Sequence, residues 1–142
     1  MPIDASTVAR VAELLGREPR GLEAIAVAAP DGEPMVIRVA SLVDDKPFPT
    51  LFWLVDPDLC YRIDQAEAGG QIKRFQAIID TAPALQEAMA QDHRAHIALR
   101  DSFVSPDCRQ RLQELGFGDV LAGRGIGGIA DFSRIRCLHT WY

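Results

Sequence analysis

The residues with the greatest chemical capability lie near the end of the chain. The run Arg124-Gly-Ile-Gly-Gly128 places permissive backbone amides beside an arginine, and Arg134 and Arg136 follow. Such backbone can form an anion-binding concavity that arginines complement. The run is neither a Walker loop nor a dinucleotide fingerprint, because the lysine of the first and the third glycine of the second are missing. The alternative is a tight connection where only glycine fits. The expected binding residues are Gly125, Gly127, Gly128, Arg134 and Arg136.

Cys137 and His139 suggest a second kind of chemistry in the same segment. Cys137 could act as a nucleophile if a nearby base and an electropositive setting produced its thiolate. His93 and His96 are spaced so that they could share a metal ion, with Cys137 and His139 as further ligands of a zinc site. The alternative for the cysteine is a small buried hydrophobic residue.

His96 also belongs to a periodic pattern. Six residues recur at spacings of three and four, which predicts that they share one helix face. On that face Asp92 would lie one turn from His96, as a carboxylate that orients a general base. A satisfied pair at the edge of the core, or a different buried face, is the alternative. The six residues are Leu85, Met89, Asp92, His96, Leu99 and Phe103.

Composition limits the class of protein. The 142 residues fit a single domain, 1–142, with a net charge of −5. This balance argues against nucleic acid or an anionic membrane as the main partner, because phosphate binding relies on lysine and arginine. Three widely spaced cysteines suggest reduced thiols. No apolar run approaches the ~20 residues of a membrane span, and the N-terminal stretch lacks a signal pattern. We therefore expect a cytoplasmic protein.

The elements that would position these residues indicate an α+β fold, a small antiparallel sheet of about three strands covered by four to five helices. Residues 51–55 are continuously apolar, which predicts a central strand. Two prolines make 44–50 a loop, and Thr81 is expected to cap the longest helix. The predicted strands are 22–29, 35–40 and 51–55, and the predicted helices are 4–15, 56–68, 71–80, 81–103 and 105 to about 116.

Several stretches, in this order, resemble an uncharacterised bacterial family, domain of unknown function 501. They are Gly16-Arg-Glu-Pro-Arg-Gly21, Lys46-Pro-Phe-Pro-Thr-Leu-Phe-Trp-Leu54, Gly125-Ile-Gly-Gly-Ile-Ala-Asp-Phe132 and Arg136-Cys-Leu-His139. The family implies no established activity. The resemblance does not support His96 as a site residue. It supports Thr50, His93, Gly127, Gly128, Cys137 and His139.

The chain also departs from the family. Members carry cysteines where this sequence has Ala29-Pro-Asp-Gly32 and a cysteine where it has Asp56. Because those thiolates are missing here, we expect no metal site, and the sequence names no cofactor. The favoured function is a ligand-binding or regulatory module for a small anionic molecule. The alternatives are a hydrolase or transferase that uses Cys137, His139 and His93, and a module that docks on a protein partner through Trp141 and Tyr142.

Overall fold

The structure is a computed structural model that describes residues 3–142. Met1 and Pro2, which begin the N-terminal stretch discussed above, lie outside the described residues. Within them the chain forms five strands and six α-helices. The strands are β1 (Leu22–Ala28), β2 (Pro34–Val39), β3 (Leu42–Val43), β4 (Lys46–Pro47) and β5 (Phe52–Leu54). The helices are α1 (Ala5–Leu15), α2 (Pro57–Ala68), α3 (Gln71–Asp80), α4 (Pro83–Ser102), α5 (Pro106–Glu114) and α6 (Gly118–Ala122).

The expected α+β class is confirmed, with a three-stranded antiparallel sheet in the order β1-β2-β5. The sixth helix is the five-residue α6, which lies where the sequence predicted only a glycine-rich loop. Two 3₁₀ turns, Ile126–Gly128 and His139–Trp141, shape the C-terminal segment. None of the helices in residues 3–142 has the length and apolar character required to cross a membrane.

The N-terminal half follows its local signals closely. The Asp4 carboxylate accepts a hydrogen bond from the amide of Thr7 at 2.8 Å and so begins α1. Gly16 ends this helix in the left-handed conformation, with φ of 72°. The β1–β2 hairpin closes when Ala29 and Glu33 pair across the turn, where Gly32 has φ of 91°. The helix and the hairpin were both predicted.

The expectation that residues 51–55 form the central strand is wrong. Within residues 3–142, β5 pairs with β2 alone, with Ile37 opposite Trp53, so β2 is central and β5 is an edge. The residues that flank β5, Leu51 and Val55, are buried, whereas residues 52–54 are only half-buried. The continuous apolar run therefore reflects an edge strand that the C-terminal segment covers on one side. This exposed edge is what brings β5 to the candidate site.

The predicted loop at 44–50 contains a small hairpin. β3 pairs with β4 through Leu42 opposite Pro47 and Val43 opposite Lys46. Asp44 and Asp45 form the turn with φ of 51° and 59°, a conformation that aspartate tolerates better than most residues. The prolines exclude this segment from the main sheet but do not prevent a two-stranded ladder at its side.

The main core lies between α1 and the sheet. Val11 on α1 contacts the buried cluster of Ile37 and Val39 on β2 and Val55 after β5. Each such side chain contributes roughly 1.5–3 kcal/mol to folding through the apolar area removed from water. This core fixes the sheet as a platform for the remaining helices.

Side chains cap the first turns of α2 and α5, but not that of α4. Asp56 caps α2 by accepting from the amide of Leu59 at 3.0 Å, and Ser105 caps α5 by accepting from Cys108 at 3.1 Å. Thr81, by contrast, does not cap α4: the helix begins after Ala82, and the Thr81 hydroxyl donates to the carbonyl of Ile78. Thr81 therefore closes α3 rather than opening α4.

A glutamine on α3 fastens the C-terminal segment. The Gln76 side chain is buried, and its Nε2 donates to the Ser133 carbonyl at 2.8 Å and to Asp80 at 2.9 Å. Its Oε1 accepts from the amide of Ile135 at 2.9 Å. On the same helix Phe75 and Ile78 are exposed, while Gln76 and Ile79 are buried.

Candidate functional site

An open groove lies where the exposed edge of β5 meets the C-terminal segment. We call it the C-terminal groove, and its volume is about 440 Å³. The sheet side contributes mainly apolar and aromatic surface, and the opposite side contributes the polar groups. It is lined by Thr50, Phe52, Trp53, Leu54, Gly127, Arg136, Cys137, His139 and Thr140.

The groove unites five of the nine residues that the sequence analysis named as site residues. They are Thr50, Gly127, Arg136, Cys137 and His139. The other four, Gly125, Gly128, His93 and Arg134, are not in its lining. Arg134 is exposed to solvent, and a Cβ at Gly128 would lie 3.0 Å from Pro49 and 3.8 Å from an Arg136 nitrogen.

The glycine loop, Gly125–Gly128, uses its amides internally. The amide of Gly125 donates to the Ile129 carbonyl at 2.8 Å, and that of Gly128 donates to Gly125 at 2.9 Å. The amide of Ile126 donates to Nδ1 of His93 at 3.0 Å. These three amides are therefore occupied, so an anion at this end of the molecule would not bind to them.

His93 lies behind the loop in the interior rather than in the groove. Its side chain is fully buried, stacked on Phe132 with ring centroids 4.7 Å apart and edge-on to Trp141 at 5.3 Å. Burial lowers the pKa of His93, against the opposing effect of Asp92. Because Nδ1 accepts a hydrogen bond from Ile126, the neutral ring carries its proton on Nε2, for which residues 3–142 offer no hydrogen-bond partner. His93 thus anchors the glycine loop and Trp141.

The buried face of α4 differs from the one predicted. Burial follows Met89, His93 and Arg100, whereas Leu99 and Phe103 are exposed. The prediction failed because polar residues occupy part of the buried face, so apolar spacing alone selected the wrong stripe.

His96 is half-buried, and no carboxylate of the described part of the chain pairs with it. Burial, with the Arg100 guanidinium and His93 as smaller causes, lowers the pKa of His96 to about 4. Its ring is edge-on to Phe52 at 6.3 Å, and its Nε2 has no hydrogen-bond partner among residues 3–142. Asp92 is exposed. The expected Asp92–His96 pair of a general base is therefore not formed, because Asp92 faces away from the side of α4 that buries its histidines.

Arg100 is a second buried anchor on the same face, with 2% of its surface exposed. One terminal nitrogen donates to the carbonyls of Pro49 at 2.8 Å and Arg124 at 2.9 Å, and the other donates to Leu121. Burial lowers the pKa of Arg100, which Asp101 partly opposes. The guanidinium therefore ties the lead-in to β5, helix α6 and the start of the glycine loop to one helix. Sequence reasoning missed this residue.

The two reactive residues in the groove do not contact each other through their functional atoms. The Cys137 sulfur lies 3.5 Å from the Thr140 hydroxyl. The His139 ring instead faces α2, with Nε2 2.8 Å from an Asp64 oxygen and Nδ1 2.8 Å from a Glu67 oxygen. Sequence reasoning missed both carboxylates, because an Asp-x-x-Glu pair on a helix is an ordinary surface pattern. All three cysteines are free thiols.

The structure does not bring together His93, His96, Cys137 and His139, the zinc ligands considered from the sequence. Asp56, which stands where the family has a cysteine, is occupied as the cap of α2. Within residues 3–142, the histidines, cysteines and carboxylates that converge closely enough to share an ion are Asp64, Glu67 and His139. His93, His96 and Cys137 are not part of this group.

The fold and the groove define a small α+β protein with a mixed apolar and cationic cleft at the edge of its sheet. The chain belongs to the family described as Protein of unknown function (DUF501), whose profile matches residues 25–142. The match includes every residue that lines the C-terminal groove and confirms the resemblance seen in the sequence. Searches of curated proteins and of solved structures found no significant match.

Proposed function

We propose that the protein is a single-domain cytosolic module that binds a small molecule with an anionic group and an apolar body in the C-terminal groove. The observation that carries this proposal is the position of Arg136. One of its nitrogens donates to the Gly127 carbonyl at 3.3 Å, and the side chain is otherwise exposed. Among residues 3–142, no carboxylate lies within ion-pair distance of it, although several other arginines are paired in this way.

The lining of the groove suits such a ligand. Phe52, Trp53 and Leu54 offer apolar contact, while the Thr50 hydroxyl can donate or accept a hydrogen bond. The Thr140 hydroxyl donates to the Cys137 carbonyl at 3.3 Å and can still accept one. A volume of about 440 Å³ is within the range of about 300–1,000 Å³ that is typical of small-molecule sites. An unpaired guanidinium at the edge of this surface favours a phosphate or carboxylate group, which it can bind through two parallel hydrogen bonds.

A thermal-shift screen of inorganic phosphate, nucleotides and carboxylates tests the proposal. The screen includes EDTA, so that bound metal ions do not contribute. Arg136→Ala should abolish the shift produced by an active compound, whereas Arg134→Ala should retain it. Arg134 is the matched control because it is an exposed arginine in the same segment and outside the groove. A ligand at about 100 times its Kd should stabilise the wild type by about 2.7 kcal/mol.

Two results would contradict an anion site at Arg136. One is the absence of any shift in the wild type across the screen. The other is a shift that Arg136→Ala and Arg134→Ala reduce equally, since that outcome would indicate a general effect of surface charge.

A Cys/His-dependent hydrolase or transferase is the second candidate, because Cys137 and His139 line the same groove. Alkylation by iodoacetamide at neutral pH, resolved by mass spectrometry, tests it with internal controls. Burial raises the pKa of both Cys60 and Cys108, so these thiols should react slowly. A nucleophilic Cys137 must react much faster than both. Equal rates for all three would eliminate a thiolate mechanism.

A further inference from the structure

Asp64, Glu67 and His139 form a compact group of metal-binding side chains at the end of the C-terminal groove. Asp64 and Glu67 are three residues apart on α2, so both project from the same face of the helix. The His139 ring lies against them with two contacts of 2.8 Å. One ligand atom from each residue can be chosen so that all three lie within 4.8 Å of one another. We call this group the carboxylate–imidazole cluster.

The charge of the cluster is not balanced by the protein. Among residues 3–142, no arginine or lysine reaches Asp64 or Glu67, and their only partner at ion-pair distance is His139. The other ion pairs of the described residues use arginine. With both carboxylates ionised, the cluster has a charge of −1 when the ring is protonated and −2 when it is neutral. Glu67 is only 21% exposed, so water screens its charge incompletely.

The donor atoms and their spacing narrow the choice of ion. Ligands about 2.1 Å from a metal ion are about 3 Å apart when they are adjacent in its coordination sphere. Only one of the two 2.8 Å contacts can join two ligands of the same ion, because the contacts involve different ring nitrogens of His139. The third ligand atom lies within 4.8 Å of the others and would move closer when an ion binds. One imidazole nitrogen with two carboxylates favours zinc, cobalt or manganese over calcium and magnesium, which prefer oxygen ligands alone.

We propose that Asp64, Glu67 and His139 bind a divalent transition-metal ion beside the C-terminal groove, whose lining includes His139. Only one ring nitrogen can bind the ion. The carboxylate that now contacts the other nitrogen therefore turns toward the ion, so that all three side chains bind it. Three protein ligands leave at least one position for water or for a bound molecule.

The proposal does not rest on anion binding at Arg136. The anion screen above is carried out in EDTA, whereas metal binding is measured without added ligand, so either result can fail without the other. The competing explanation of the cluster is an imidazolium ion held between two carboxylates, which reproduces both 2.8 Å contacts with no metal.

Cobalt binding separates the two explanations. The intact protein is stripped with EDTA, exchanged into buffer at pH 7.5 and titrated with Co²⁺, while the visible absorption of the bound ion is recorded. Zn²⁺ competition then measures the affinity for zinc. We expect one Co²⁺ per chain. His139→Gln and Glu67→Gln should each weaken binding by at least about tenfold, the size of effect that follows loss of a ligand or of its orienting partner.

Two further variants guard against misinterpretation. Asp64→Asn changes a side chain that is 64% exposed, so it should weaken Co²⁺ binding without affecting folding, as circular dichroism can verify. Asp58→Asn is the matched control: Asp58 lies on the same helix and pairs with Arg62 at 3.1 Å, away from the cluster. This variant should bind Co²⁺ as the wild type does.

Three outcomes would overturn the proposal. The first is that the wild type does not bind Co²⁺ or Zn²⁺ stoichiometrically, which would leave the imidazolium explanation. The second is binding that His139→Gln, Glu67→Gln and Asp64→Asn all leave unchanged. The third is a strong sulfur-to-cobalt absorption band, since it would show that a cysteine binds the ion.

Discussion

Replacing Gly125 by alanine tests whether the glycine loop is shaped by its contact with His93. A Cβ at Gly125 would lie 2.3 Å from Nδ1 and 2.8 Å from Cγ of His93, which is closer than real Cβ contacts allow. Gly125 has φ of −90°, outside the left-handed region that favours glycine. His93 is fully buried and packed between Phe132 and Trp141, so it cannot move away freely. The cost of the substitution should therefore be steric.

The magnitude follows from two contributions. Overpacking of a buried site costs about 1–3 kcal/mol. Displacing the loop also breaks the 3.0 Å hydrogen bond from the Ile126 amide to His93, which adds about 1 kcal/mol. We expect Gly125→Ala to lower the free energy of unfolding by about 2–4 kcal/mol. For a chain of this size, that corresponds to a fall in Tm of about 6–16 °C.

The assay is urea unfolding followed by circular dichroism, with Gly123→Ala as the matched control. Gly123 is two residues earlier, has φ of −96°, and a Cβ there would come no closer than 3.5 Å to another atom outside the adjacent residues. Its substitution should be neutral or stabilising by a few tenths of a kcal/mol, because alanine restricts the unfolded chain. A Gly125→Ala variant as stable as Gly123→Ala would refute the proposed role of His93 in fixing the loop.

Two further predictions concern the same face of α4. Arg100→Met should destabilise the fold by about 2–4 kcal/mol in urea unfolding, because three carbonyls lose their hydrogen-bond donor while one buried charge is removed. Arg100→Lys should recover less than half of this loss. A methionine variant as stable as the wild type would contradict the anchoring role of Arg100. His96 has a folded pKa of about 4 against about 6.5 when unfolded, so the unfolded chain binds the extra proton between these values. The free energy of unfolding should therefore fall by about 2 kcal/mol as the pH decreases from about 6.5 to 4, after allowance for the partial exposure of His96. Over the same pH range, the urea midpoint of His96→Gln should fall less than that of the wild type.

Local signals in the sequence were sufficient for the first part of the fold. Asp4 and Gly16 bound α1 as predicted, and the turn before β2 forms as its Pro-Asp-Gly chemistry requires. In each case the decisive interaction joins residues that are close in sequence. The edge position of β5 could not be predicted, because an apolar run does not reveal whether a strand or an irregular segment will cover it.

The candidate site was predictable only in part. The family resemblance named Thr50, Cys137 and His139 as site residues, and all three line the C-terminal groove. The partners of His139 were not, because Asp64 and Glu67 lie 75 and 72 positions earlier on a helix with an ordinary polar surface. His93 was predicted to be a site residue, and Arg100 was not predicted at all, for a related reason. Buried polar residues break the apolar periodicity that sequence analysis uses to choose a face, and their long-range acceptors leave no local pattern.

Gln76 has a consequence for how the C-terminal segment tolerates insertion and exchange of residues. The Gln76 side-chain amide donates to the Ser133 carbonyl and accepts from the Ile135 amide, as the backbone of a neighbouring strand would. This pairing sets the register of a segment that has no strand partner there. An extra residue between positions 133 and 135 would separate the two groups that one side chain must reach. The isosteric Gln76→Glu change would place an acceptor opposite the Ser133 carbonyl. One helical position thus determines the alignment of a segment more than fifty residues away.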